Sequence, residues 1–161
     1  MEGKVILGID PGTIITGYGV IRGQKALDFG CIRPPAKLPL EKRYLIIFNS
    51  LEELITQYKP HALAVETQFV KDNPQTAIKL GMARGMVLLA AAKNDIPIFE
   101  YSPRKAKQAV TGNGGACKAQ VQQMVRLILN LSCLPEPEDA ADALALALCH
   151  QQNYLKGKTY V

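Results

Sequence analysis

The chain has 161 residues, 48% of them hydrophobic, with 19 Lys and Arg against 14 Asp and Glu, a net charge of +5. Such a length and apolar content fit one domain with a buried core rather than two domains, and the modest positive charge favours an anionic partner. The longest unbroken apolar runs, Met86 to Ala92 and Ala143 to Cys149, are seven residues each, far short of the ~20 that span a bilayer; with no apolar leader at the start, membrane and secreted classes are disfavoured and a cytoplasmic location is expected.

Residues 4–10, 16–22 and 26–33 read as three short strands, punctuated by Pro11-Gly12 and Gly23-Gln24, which predicts hairpins at the start. Residues 40–58 carry Leu51, Leu54, Ile55 and Tyr58 at helical spacing before Lys59-Pro60 stops them. A buried strand is expected at 62–66, a long helix at 74–94, a strand at 97–101, and helices near 103–110, 118–129 and 139–152. Three strands followed by alternating helix and strand predict an α/β domain whose sheet is antiparallel at one edge and parallel elsewhere. The four cysteines, Cys31, Cys117, Cys133 and Cys149, are widely spaced, which argues against a thiolate zinc site and for reduced thiols. His61 and His150 stand far apart with no base or nucleophile partner in sequence, so structural roles are expected for both.

Two carboxylates end apolar strands: Asp10 after Val-Ile-Leu-Gly-Ile and Glu66 after Ala-Leu-Ala-Val. Open α/β sheets bind ligands at the carboxyl ends of their strands, so adjacent strands would bring the two acids into one site. Asp139 and Asp142 are three residues apart at the start of the last helix, which puts them on one helical face. Taken alone, Asp139 reads as an N-cap and Asp142 as a first-turn acid. Together the four would repel one another unless protonated or neutralised, and oxygen-only ligands suit Mg²⁺ or Mn²⁺ rather than zinc. In a basic protein this pattern fits a two-metal phosphodiester site, with ions ~3.5–4 Å apart.

The segments Gly8-Ile9-Asp10-Pro11-Gly12, Thr16-Gly17-Tyr18-Gly19-Val20, Glu66-Thr67-Gln68-Phe69, Lys79-Leu80-Gly81-Met82-Ala83-Arg84-Gly85, Phe99-Glu100-Tyr101 and Asp139-Ala140-Ala141-Asp142-Ala143-Leu144-Ala145, in this order, resemble the RuvC family of bacterial Holliday junction resolvases. The resemblance covers nearly the whole chain. It implies a ribonuclease H-like fold, with a mixed five-stranded sheet flanked by helices, as a single nuclease domain over residues 1–152 and a short tail at 153–161. It further implies a homodimeric endodeoxyribonuclease that resolves four-way DNA junctions by paired symmetrical cuts in recombination and repair. The implied cofactor is Mg²⁺, with Mn²⁺ as an alternative, at two ions per subunit, and the implied further partner is the RuvA-RuvB branch-migration complex. Its four catalytic acids and metal ligands fall on Asp10, Glu66, Asp139 and Asp142. The family often has Gln where this chain has Thr67, and the stretch after Arg33 is shorter here.

Between Tyr101 and Pro135 there are five basic residues, Arg104, Lys105, Lys107, Lys118 and Arg126, and no acidic ones. That is a candidate phosphate-facing surface, or a basic solvated face. Lys107 and Lys118 flank Thr111-Gly112-Asn113-Gly114-Gly115, expected to be a flexible loop, and the resemblance places DNA contacts at both lysines; Arg104 is a further candidate. Phe69, three residues past Glu66, is either a core residue or an aromatic that stacks on an unpaired base, worth ~1–3 kcal/mol. Gly81 and Gly85 leave a bare strip on the long helix, for a close contact within the chain or across a dimer. Three other readings stay open from residues alone. Gly8 to Thr13 with Thr16-Gly17 also resembles the first phosphate loop of the actin, heat-shock and sugar-kinase superfamily, although enclosing ATP there takes two such domains. The others are a non-catalytic DNA-binding protein and a nuclease for RNA–DNA hybrids.

Overall fold

A computed structural model describes residues 3–67 and 73–159. Its elements are β1 (Val5–Asp10), β2 (Thr16–Arg22), β3 (Lys25–Ile32), α1 (Leu40–Tyr58), β4 (Ala62–Glu66), α2 (Pro74–Lys93), β5 (Ile98–Tyr101), α3 (Pro103–Thr111), α4 (Lys118–Ile128) and α5 (Glu138–Thr159). The sheet order is β3-β2-β1-β4-β5. β1 pairs antiparallel with β2, and β2 with β3, while β4 lies parallel to both β1 and β5. This is the mixed five-stranded sheet flanked by helices that the sequence implies, and β1 and β4 are its adjoining central strands.

Alternation along the strands divides the core into two halves. Ile6, Ile21, Ala64 and Tyr101 face α3, α4 and α5, whereas Leu7, Ile9, Val20, Leu63 and Val65 face α1 and α2. Since side chains on a strand point alternately to opposite faces, one strand serves both layers. Between Ala140 and Cys149 every residue of α5 except Asp142 is buried, so this helix is the central packing unit of its side. It lies unusually close to the sheet because β1 and β2 present glycines beneath it. A methyl group added at Gly8 would run into the Ala143 carbonyl, one at Gly17 into the Asp139 backbone, and one at Gly19 into the Leu144 side chain.

Most boundaries follow local chemistry. α1 ends at Lys59, in the left-handed conformation (φ 47°) with its N–H donating to the Ile55 carbonyl, just before Pro60. α2 starts at a proline behind Asn73, whose side chain accepts from the backbone N–H groups of Gln75 and Thr76. The last helix departs from the sequence expectation at both ends. It begins at Glu138, so Asp139 is inside the first turn rather than its cap, and it runs to Thr159 instead of stopping at Gln152. Asn153, Tyr154, Leu155 and Lys156 contain no glycine or proline to end a helix. Both histidines serve the frame. His61 Nδ1 accepts from the Val5 N–H at 3.0 Å, and buried His150 lies with Nδ1 2.7 Å from the Tyr101 hydroxyl and its ring stacked on Phe99. No helix among the described residues is long and apolar enough to cross a membrane.

Candidate functional site

Asp10 and Glu66 are the residues that follow the last β1–β4 pair, Ile9 and Val65, so parallel pairing delivers both carboxylates to the same end of the sheet. They also share a face. Asp10 lies opposite Gly17, whose open face meets Asp139, and Glu66 lies opposite Tyr101, which packs into the α5 side of the core. Asp139 and Asp142 descend from the first turns of α5 onto that position. A pocket of ≈ 280 Å³ is lined by Asp10, Glu66, Asp139 and Asp142, with Lys107 of α3 and Lys118 of α4 also in its wall and Ala106, Val121 and Ala145 contributing apolar surface.

Electrostatics inside the pocket is set first by burial of the carboxyls and then by crowding of like charge. Burial, then the charge of Glu66 and its hydrogen bond to Asp10, then Asp142 and Asp139, push the Asp10 carboxyl up to about 9. Burial raises Glu66 as well, opposed by the bond to Asp10 and by Lys107 and Lys118. Asp142 rises to about 6, mainly through burial, with Lys118 pulling it back. A hydrogen bond from the ammonium of Lys118 to Glu138, at 3.1 Å, holds that lysine above its ordinary value. Like charges that cannot all ionise without a counter-charge need protons or cations. Among the described residues no three Asp, Glu, His or Cys side chains converge into a ready-made cation cage; Asp10 and Glu66 are instead hydrogen-bonded to each other. The donor set still fits hard divalent cations. It is oxygen-only, carries more negative charge than the two lysines offset, and is open to solvent on one side.

The positions of the expected DNA contacts differ. Lys107 and Lys118 both reach the pocket wall. Arg104 is exposed on α3 outside that wall, its stem against Gly114. Phe69 lies outside the described residues. The glycine-rich segment between the lysines is a knitted turn rather than the flexible loop expected. Gly112 caps α3 with φ 77°, the Thr111 hydroxyl donates to the Lys107 carbonyl and accepts from the Asn113 N–H, and the Gly115 N–H donates to the Asn113 side chain. Those two amides are therefore committed within the turn. Among the described residues an added side chain at Gly81 or Gly85 would meet nothing within 4 Å, so the bare strip on α2 is not a close contact with any of them. Ile78 and Met82 stand exposed on the same helix, at 62% and 45%.

Two features of the site were not foreseen. Glu138 pairs with Lys118, although its sequence position marks it only as an acid beside Asp139. Arg84, which stands in the Lys79-to-Gly85 motif, donates from Nη1 to the Glu66 carbonyl at 2.7 Å and from Nη2 to Glu100.

Comparison with known proteins adds an independent line. The family model described as crossover junction endodeoxyribonuclease RuvC matches residues 6–150. The crossover junction endodeoxyribonuclease RuvC of Protochlamydia amoebophila is 60% identical over 152 residues, covering 92% of this chain and 90% of that protein. The protein of the same name from Desulfitobacterium hafniense is 50% identical over 150 residues, covering 91% of each. Among solved structures, Thermus thermophilus RuvC in complex with a Holliday junction substrate superposes with a TM-score of 0.90 at 38% identity, covering 96% of both chains. A yeast mitochondrial Holliday junction resolvase, Ydc2, shares the fold with a TM-score of 0.63 at 14% identity.

Proposed function

Since the chain belongs to the RuvC family of crossover junction endodeoxyribonucleases, and so is a divalent-metal-dependent Holliday junction resolvase with a ribonuclease H-like fold, we propose that Asp10, Glu66, Asp139 and Asp142 are its catalytic acids and metal ligands. The observation that carries this is the Asp10–Glu66 pair. Two half-buried strand-end carboxylates meet, hydrogen-bonded to each other, in a pocket that two further acids enter from α5. Nothing in the core needs such a cluster, and its repulsion is a cost that a structural role would not repay. The bound group we assign is two Mg²⁺ ions, with Mn²⁺ as an alternative, and the chemistry it supplies is charge stabilisation at the attacked phosphate and a lowered pKa for the attacking water.

The chain's own contribution is placement. Asp10, deepest of the four, lies between Glu66 and the α5 acids and is suited to be shared by both cation positions. Glu66 and Asp142 would complete the two ligand sets, and Asp139, in the first turn of α5, would ligate a cation or orient the attacking water. Lys107 and Lys118 face the open side, where they bind the phosphate backbone and offset charge as the phosphodiester is attacked. Arg104 extends this basic surface along α3. Phe69 stacks on a base at the junction centre in this reading, so that Phe69→Ala weakens cleavage and spares metal binding.

A two-fold symmetric substrate calls for two sites related by two-fold symmetry. We assign the homodimer interface to α2, where Gly81 and Gly85 leave open surface beside Ile78 and Met82. Residues 1–152 are assigned to the nuclease unit and residues 153–161 to a tail outside it, even though the helix continues into that stretch. A cytoplasmic setting and association with the RuvA-RuvB complex belong to the same reading.

The deciding experiment is cleavage of a labelled four-way junction and a matched linear duplex, in Mg²⁺ or EDTA, by the wild type and by Asp10→Asn. Paired symmetrical cuts in the junction alone, only with metal, and binding without cutting by the variant are expected. A variant that still cuts would remove Asp10 from the mechanism; a wild type that binds but never cuts with any divalent ion would make the acids structural.

A further inference from the structure

Glu66 is held from both faces of the sheet. Its carboxylate points into the pocket beside Asp10, on the side covered by α5. Its main-chain carbonyl is gripped by Arg84, which belongs to α2 on the opposite side, where Ala83 and Val87 pack with Val65. The Arg84 side chain is 20% exposed, and this bond is partly shielded from water. The guanidinium is itself oriented by Glu100 of β5, a residue that stands beside Val65 in the β4–β5 pairing and so shares its face. Glu66 is the last residue of β4. Beyond it the ladder continues through one bond, from the Thr67 N–H to the Tyr101 carbonyl. A strand end would otherwise be free to shift, and a planar guanidinium held at two points is suited to fixing it.

We propose that Arg84, oriented by Glu100, is a positioning residue that fixes the Glu66 carboxylate for metal binding by clamping the backbone of Glu66 from the far face of the sheet. The inference rests on Glu66 being a metal ligand, as proposed above. Arg84 stands on the far side of the sheet and is absent from the pocket wall, so its effect passes through the geometry of Glu66. Removal of outer partners that orient metal ligands lowers metal affinity or activity by roughly 10–100-fold. A loosened Glu66 therefore raises the metal concentration required, whereas lost folding or lost DNA contact does not.

The test compares Arg84→Gln, Arg84→Lys, Glu100→Gln and the Arg84→Gln/Glu100→Gln double variant. Junction binding is measured in EDTA, oligomeric state by sedimentation, and single-turnover cleavage across a Mg²⁺ titration. Arg84→Gln is expected to bind the junction within about twofold of wild type while its Mg²⁺ midpoint rises roughly tenfold. Arg84→Lys should recover part of that rise, Glu100→Gln should show a smaller rise, and the double variant should be no worse than Arg84→Gln. A wild-type midpoint in Arg84→Gln overturns the proposal, even if cleavage is slower. If Arg84→Gln does not fold, Glu100→Gln decides, because its side chain is half exposed; a wild-type midpoint there likewise overturns it. Failure of the underlying assignment is separable, since Glu66→Gln would then cut normally.

Discussion

The Asp10 and Glu66 carboxyls meet at the adjoining ends of β1 and β4, and burial, with the neighbouring acids, pushes Asp10 up to about 9. Near neutral pH the cation-free pocket therefore holds protons where the proposed function requires metal, and the two must exchange.

Metal binding should accordingly release protons and strengthen as pH rises. Burial pushes Asp142 up to about 6 and Asp10 up to about 9, so the apparent affinity is expected to climb across that window by up to about tenfold per pH unit for each proton displaced. Calorimetric titration with Mn²⁺ in buffers of different ionisation enthalpy counts the protons released. Affinity independent of pH between 6 and 9 would mean that metal displaces no proton from Asp10 or Asp142.

Asp10→Asn should abolish cleavage and yet stabilise the cation-free fold. In the folded state the Asp10 carboxyl keeps its proton to about 9, against 3.8 as its ordinary value. Between those values the folded chain binds more protons than the unfolded one, so this group's contribution is full below the lower value and is lost as pH rises through the window. An amide cannot ionise and escapes that loss. In EDTA at pH 8 the variant's Tm should exceed that of wild type by several degrees, at roughly 2–4 °C per kcal/mol for a chain of this size, and the gap should close near pH 4. Equal Tm values at pH 8 would refute the raised Asp10 carboxyl.

Junction binding should report the two pocket lysines separately. Lys107→Gln is expected to weaken binding uniformly across sequences and to lower the salt slope of log K by about 1. Lys118 starts from a pairing with Glu138 in which both side chains are more than half exposed, and such pairs are worth ~0–1 kcal/mol. Glu138→Gln should therefore tighten binding by a few-fold at most, an effect that disappears in Lys118→Gln. Filter binding across a salt series distinguishes these outcomes.

Gly81→Leu separates the dimer from the fold. Because nothing lies within 4 Å of an added side-chain atom there, and replacing a mid-helix glycine stabilises a helix by about 0.5–1 kcal/mol in the case of Ala, the monomer fold should not be weakened. Sedimentation should show monomers while the far-UV spectrum and metal binding stay unchanged. A dimer that survives would place the interface away from this strip.

The sequence made some of this legible and hid the rest for physical reasons. Asp10 and Glu66 stand out because each ends an apolar strand, and strand ends are local features. α1 carries its own stop in Lys59-Pro60, and its limits agree with those read from the sequence. The span of α5 was harder to read, because residues 153–156 bear no mark that separates a helix from a polar tail. Arg84 was hidden differently: its partners Glu66 and Glu100 lie 18 and 16 residues away, spacings that belong to no period, and only the sheet order brings them together. Gly8, Gly17 and Gly19 were visible as a motif, but the reason for them is a helix more than a hundred residues later.

Those three glycines also govern the thickness of the molecule at its most demanding point. The sheet supplies two of the four acids and the helix lying over the glycines supplies the other two, so the separation between layers is also the separation between halves of the candidate site. The absent side chains act as a gauge block. Extra volume beneath α5 would move Asp139 and Asp142 away from Asp10 and Glu66 as a pair, leaving every acid present and the distance between them wrong. In this protein the tolerance of the apolar interior is therefore set by the dimensions of the chemistry, well before it is set by stability.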